Sequence, residues 1–366
     1  MIRVPEVAAS AGEQEWIAVG DAVHRAGERL AQLTAHLDDR ERADGFRALT
    51  RALNNHLSRL ERDRERPELV SFNGWREKFF MDNPDFRYWV ADIRDDRRYR
   101  LSGAVGDSVF QSITVYRGDG LGAVATARVD TDTLDIDAGG RFEVTLAPSD
   151  PGVGTWLPLE PGVTMVWVRH FHEDVDHDRL GDCTIEPHDP PATPTAFDAH
   201  DVQRQLRRLA ASISIVPEVF EATWKAEEGR ANQLRHWSEM SGGAAFTEPG
   251  IHYVRGAWSL GADEALVIRG SAVPSRYWNI LLYSRYLNSL DYRSRTVSRT
   301  SGTARLVDGR YGFVLAARQP AGDLDWLDTE GRQFGLVVMR WLLPEEPVPL
   351  PEVRVCHVDE VEDLSR

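Results

Sequence analysis

The sequence predicts an α+β protein built from two jelly-roll-like antiparallel β-sandwich domains, each preceded by a helical segment. Three observations carry that expectation. A set of aromatic and arginine landmarks occurs twice at a shift of about 169 residues, long enough for a repeat of whole domains rather than of solenoid units. Between the landmarks apolar and polar residues alternate and glycine-rich breaks recur, the pattern of short strands and turns. Ahead of each such region the apolar spacing switches to three and four, the spacing of one helical face.

The first set of landmarks is Tyr99-Arg100, Gln111 to Tyr116, Gly140-Arg141-Phe142, Trp156-Leu157, Glu160 and Val166 to Arg169. The second is Ile268-Arg269, Trp278 to Tyr283, Gly309-Arg310-Tyr311, Trp326-Leu327, Glu330 and Val337 to Arg340.

Residues 1–70 read as a helical hairpin. Val19, Val23, Ala26, Leu30, Leu33 and Leu37 lie on one helical face, and Phe46, Leu49, Leu53, Leu57 and Leu60 on a second. Asp38-Asp39-Arg40 separates them, which favours two antiparallel helices. Residues 71–186 form the first β-sandwich repeat. It opens on an irregular aromatic stretch where Asn83-Pro84 favours a turn, because proline pushes the residue before it out of the helical region. Ala138-Gly139-Gly140 reads as a hairpin turn. Residues 187–250 are a proline-rich linker and helices: Val202, Leu206, Leu209 and Ile213 share a face that should end near Pro217, with a further helix from Glu218 to about Glu239. Residues 251–366 are the second β-sandwich repeat, with an extended tail after Pro344.

Composition narrows the function classes. The 366 residues carry a net charge of −15, which opposes binding to nucleic acid or an anionic membrane surface. Two cysteines make no disulfide framework and suit a reducing compartment. Met1 to Glu6 lacks the basic start and apolar core of a signal peptide. No apolar run approaches the roughly 18 residues of a membrane span. A cytoplasmic protein is the expectation.

The C-terminal landmarks resemble the family called domain of unknown function 1214. They comprise Tyr277-Trp278-Asn279 and Tyr283, Asp308-Gly309, Trp326-Leu327, and Leu336 to Trp341. The N-terminal copy is the weaker match of the two, with Trp156-Leu157-Pro158 preceded by Thr155, and the C-terminal copy has Asp325-Trp326-Leu327-Asp328 where the family has Asn-Trp-Leu-Pro. Asp44 to Arg51 and Asp82 to Asp85 resemble the leader of longer members. The resemblance implies a jelly-roll-like domain in each half, two tandem copies in all, and no settled reaction.

The candidate ligand-binding residues are Tyr277, Trp278, Tyr283, Trp326 and Arg340 in the C-terminal half, and Tyr116, Trp156 and Arg169 in the N-terminal half. Trp156 and Trp326 have two readings, a core plug at the entry to the last strand or the lining of a pocket. Arg169 and Arg340 end apolar strands and must find acceptors, since an unpaired buried guanidinium is costly. Glu160 and Glu330 are the nearest acids for a structural bridge, and the alternative is a carboxylate or phosphate on a ligand. His170 and His172, two apart on a strand, share a face, and His177 follows on the next turn, a metal-like spacing for a divalent ion. A solvated acidic loop is the plainer reading of that stretch. Arg293, Arg295, Arg299 and Arg305 make a local basic patch, either paired with the acidic N-terminal helices or Glu345-Glu346, or open to an anion.

The expected function is binding of an apolar or acidic small molecule in an aromatic-lined β-sandwich cavity, with no cofactor required. The alternative is an enzyme, metal-dependent through His170, His172 and His177, or a metal-free hydrolase or lyase using Asp82, Asp85 and a tyrosine. A structural protein whose second lobe forms a homodimer is the third reading.

Overall fold

Helix capping sets the N-terminal layer. Asp38 leaves helix α1 (Ala11–Leu33), and its extended backbone starts α2 (Asp39–Leu57), with its carboxylate accepting from the Glu41 amide at 2.9 Å. The computed structural model describes residues 11–60, 62–118, 120–190, 193, 197–237 and 246–361. The main neighbour of α1 is α3 (Ala199–Glu228) rather than α2. Val19, Ala26 and Leu30 share a core with Leu209, Ile213 and Phe220, and Arg29 holds Glu218 and Glu221.

Helix α3 corrects the sequence reading, because it runs unbroken through Pro217. An interior proline costs a helix about 3 kcal/mol. Ile213, Val216, Phe220 and Trp224 are all buried on the same helix, and each buried side chain of this size contributes about 1.5–3 kcal/mol, so packing wins. The second helix expected to reach Glu239 ends at Gly229, and Asn232 at φ +61° turns the chain into strand β10. Glu239 itself and the 191–192 and 194 part of the proline-rich connector lie outside the described residues.

The first lobe contains β1 (Val70–Ser71), β2 (Phe86–Asp92), β3 (Tyr99–Ala104), β4 (Phe110–Arg117), β5 (Val124–Asp130), β6 (Arg141–Ala147), β7 (Thr155–Pro158), β8 (Val163–Phe171) and β9 (Asp182–Pro187). The second contains β10 (Gln233–His236), β11 (Ile251–Ser259), β12 (Glu264–Ser271), β13 (Tyr277–Tyr283), β14 (Ser298–Thr300), β15 (Leu306–Val307), β16 (Arg310–Ala316), β17 (Asp325–Asp328), β18 (Phe334–Leu342) and β19 (Glu352–His357). None of the sheets closes into a barrel.

Strand order repeats between the lobes. One five-stranded sheet runs β1-β2-β8-β4-β5 and its counterpart β10-β11-β18-β13-β14. The facing sheets run β7-β6-β3-β9, four-stranded, and β15-β16-β12-β19, five-stranded with β17 on β16. All pairings are antiparallel except one in each lobe, β6 with β7 and β16 with β17, at the same point of the repeat. Gly140, at φ +76°, closes the turn into β6, and its amide donates to the Asp137 carbonyl.

Each sandwich is filled by its own side chains. Leu101, Ile113, Val115, Val144, Val166 and Val168 have no exposed surface in the first. Leu266, Ile268, Ile280, Leu282, Phe313 and Leu315 do the same in the second. The expectation of a ligand cavity inside a sandwich is therefore corrected, since close-packed aliphatic side chains occupy that space.

Because successive strand residues point to opposite faces, the residues between those core positions turn outward. On β8 these are Trp167, Arg169 and Phe171; on β18 they are Val338, Arg340 and Leu342. The two outward faces meet, with Phe86, Phe110 and Phe171 of the first lobe packing against Tyr277 and Leu342 of the second. Among the described residues no helix is long and apolar enough to cross a membrane.

Candidate functional site between the lobes

Register puts the two arginines near the strand ends at equivalent places. Arg169 on β8 stands between Tyr88 of β2 and Ser112 of β4. Arg340 on β18 stands between Tyr253 of β11 and Asn279 of β13. Each donates to a tyrosine near the end of the neighbouring strand, Arg169 to Tyr116 at 3.0 Å and Arg340 to Tyr283 at 2.7 Å. Both guanidiniums are buried.

The partners then diverge. Arg169 reaches Glu248 at 3.4 Å and the Phe246 carbonyl at 3.1 Å, and Glu248 also accepts from Arg128 and from the Ser112 hydroxyl at 2.5 Å. Arg340 has the Asn279 amide oxygen at 3.5 Å and the Tyr283 hydroxyl, both neutral. Among the described residues no carboxylate lies within ion-pairing distance of it. Burial opposes its charge, but the oxygens of Tyr283, Tyr253 and Tyr88 outweigh that and hold its pKa above the ordinary value. This arrangement corrects the expected bridges to Glu160 and Glu330. Glu330 is taken by Arg332 and the Asp291 amide, and Arg169 finds its acid in a segment 79 residues further on.

Tyr88 and Tyr253 line the space between the arginines. Each ring is only half-buried. Burial nevertheless pushes both hydroxyls up, and the fields of Arg340 and Arg169 pull both back. Asp85 completes the set. Its Oδ2 accepts from Tyr277 at 3.0 Å and from Asn279 at 2.9 Å, so the Asn279 amide joins Asp85 to Arg340. Burial raises the Asp85 pKa, against those two hydrogen bonds and Arg340. Met81, at φ +64°, and the following turn bring Asp85 over β13.

The structure thus brings together Tyr116, Arg169, Tyr277, Tyr283 and Arg340 of the sequence candidates. It separates the others. Trp278 points into the second sandwich against Tyr311 and Phe313. Trp156 and Trp326 sit on the parallel strands β7 and β17, each indole N–H donating to a neighbouring carbonyl, Ala147 at 3.0 Å and Ala316 at 3.1 Å. They hold β7 and β17 in place and face away from the arginines. Asp82 is occupied by the Ser289 amide and hydroxyl.

The histidines do not converge. His170 is buried in the first sandwich beside Trp89 and Phe142, and its pKa is pushed down to about 3, chiefly by burial. His172 Nδ1 lies 3.1 Å from Asp178, while the exposed His177 lies 2.9 Å from Asp174. Among the described residues no three metal-ligating side chains stand together. Three members of the basic patch are paired inside their own lobe, Arg295 with Asp328, Arg299 with Asp325 and Arg305 with Asp323, and not with the helices or the tail, while Arg293 reaches Asp291 only at 3.8 Å and lies over Trp75. Tyr88, Tyr253 and Glu248 were not legible as site residues. The two tyrosines could have been found by extending the landmark repeat upstream of Tyr99.

Comparison with known proteins adds architecture. Residues 257–346 match the model of a family described as a protein of unknown function, DUF1214. A crystal structure of an uncharacterised protein from Burkholderia cenocepacia is 29% identical, covers 95% of this chain and 98% of its own, and superposes with a TM-score of 0.87. The VPA0106 protein from Vibrio parahaemolyticus is 12% identical over 92% of this chain and 99% of its own, with a TM-score of 0.49. No curated protein matches the chain. The family match falls on the second lobe, and the likeness to the Burkholderia structure runs through both.

Proposed function

We propose that the protein binds a small molecule bearing a carboxylate or phosphate between the sheet that carries β8 and the sheet that carries β18. The observation that carries this reading is Arg340, buried with neutral partners only, in a wall of tyrosines. An arginine without a counter-ion in such a place is stabilised by an anion that is not part of the fold, and its planar fork suits an oxyanion. Tyr253 and Tyr88 would supply hydroxyl donors and apolar ring surface to the rest of the ligand. The first lobe fits this reading as a second copy of the family module whose arginine has acquired an internal acid, Glu248. Cys183 and Cys356 form no disulfide with each other, which is consistent with a reducing, cytoplasmic setting.

A second reading rests on Asp85. A buried carboxyl with a raised pKa, hydrogen-bonded to Tyr277, has the features of a general acid or base beside a bound anion. It would make the protein an enzyme acting on the same ligand.

The experiment is a thermal-shift and calorimetric screen of aliphatic and aromatic carboxylates and phosphate esters. A saturable ligand should lose at least tenfold in affinity with Arg340→Gln and several-fold with Tyr253→Phe, a change that keeps the ring. A ligand bound equally by wild type and both variants would overturn the reading. Turnover of that ligand, abolished by Asp85→Asn without loss of binding, would establish the second.

A further inference from the structure

A separate group of cations surrounds Trp75 on the outer side of the helical layer. Arg47, Thr50, Arg51, Asn54 and Leu57 recur on one face of α2 and, with Trp75, line a surface cleft of about 570 Å³. Around the Trp75 ring stand Arg293 at 3.5 Å, Lys78 at 4.3 Å, Arg51 at 4.8 Å and Arg47 at 5.5 Å from its centroid. Arg76 adds an exposed guanidinium at the rim.

The acids nearby under-compensate this charge. Arg47 meets Asp44 only at 3.7 Å and Arg293 meets Asp291 only at 3.8 Å. Arg51 is the telling member. It is 8% exposed, its one hydrogen bond is a long 3.4 Å contact to Asn288, and among the described residues it has no carboxylate within 4 Å. Burial and then the like charge of Arg47 lower its pKa against the pull of Asp82 and Asp44. Lys78 is fully buried on the carbonyls of Ser289 and Leu290 and is pushed down to about 8, mainly by burial, with Arg51 and Arg47 adding to the drop against Asp82. Cations gathered against their mutual repulsion, around an aromatic wall in an acidic protein, are stabilised by whatever anion enters.

We infer that this cleft is a second binding site, for a small molecule carrying a phosphate group, held by Arg47 and Arg51 beside Trp75. Several cations around one cleft favour a multiply charged oxyanion, and guanidinium forks bind phosphate oxygens in pairs. The site is independent of Arg340, which belongs to the opening between the lobes.

The test uses inorganic pyrophosphate as the probe, followed by calorimetry and tryptophan fluorescence on the full chain. Saturable binding should weaken as sodium chloride is raised, and should fall at least tenfold with Arg51→Gln and with Arg47→Gln. Arg47 is exposed, so its loss leaves folding intact. Trp75→Phe should remove the fluorescence response while calorimetry still detects binding, and Arg340→Gln should change neither. An absence of binding at millimolar pyrophosphate, or affinity unchanged by Arg47→Gln, would overturn the inference. So would binding to vesicles of anionic phospholipid without binding to pyrophosphate, since that outcome assigns the patch to a membrane surface.

Discussion

Arg169 and Arg340 occupy the same place in the two lobes and have different surroundings. Both lie near the end of an apolar strand, both donate to a tyrosine near the end of the neighbouring strand, and both are buried. The first is answered by Glu248, which also holds Arg128 and Ser112; the second faces only neutral oxygens. The difference is one of counter-charge: the first guanidinium has an acid of the chain beside it, and the second has none within ion-pairing distance among the described residues. Both lobes keep the same strand order around their arginines, so the internal acid is not what sets the sheet topology.

The comparison breaks most visibly at Glu248. Glu248→Ala leaves Arg169 and Arg128 without their acid, and stranding a buried charge costs about 3–5 kcal/mol, so the denaturant midpoint should fall sharply. Arg169→Met added to that variant should recover part of the loss. Next in size is the contrast between the arginines themselves. Arg169→Met should destabilise by about 2 kcal/mol or more, because it weakens the bonding of a buried glutamate. Arg340→Met in the absence of ligand should stay within about 1 kcal/mol of wild type, since an unpaired guanidinium contributes little net stability. Equal losses at the two positions would erase the distinction.

A smaller effect carries a sign. The Asp85 pKa is raised in the folded protein, so the protonated carboxyl stabilises the fold; that contribution is present below the ordinary carboxyl pKa and is lost as pH rises through the raised value. Asp85→Asn, which stays neutral, should therefore gain on wild type as pH climbs from about 3 toward 7, read as a widening gap in melting temperature. A gap that narrows over that range would mean the carboxylate is held more favourably than its burial implies. The smallest effect compares the lobes in their shared scaffold. Trp156→Phe and Trp326→Phe each remove one indole hydrogen bond to a carbonyl, and each should cost about 1 kcal/mol, the two alike.

Much of the scaffold could be read from residues alone. The offset between landmarks placed β4 with β13 and β8 with β18, because strands that fill equivalent cores need the same apolar alternation. The same alternation separates Tyr277 and Tyr283 from Trp278, although their nearness in sequence suggests one pocket for all three. What covers an outward face is not encoded in its own period. The meeting of Phe171 with Tyr277, and of Arg169 with Glu248, joins segments far apart in the chain. Pro217 shows the opposite failure, where a sound local rule yields to the burial of Val216, Phe220 and Trp224.

What the Arg340 guanidinium holds can be seen in crystals grown with the tightest carboxylate or phosphate from the screen. Density for that anion should lie within hydrogen-bond distance of Arg340, with Tyr253 and Tyr88 against its remainder. Density showing the Arg340 fork closed on a carboxylate of the chain itself, with the added anion bound elsewhere, would contradict this placement.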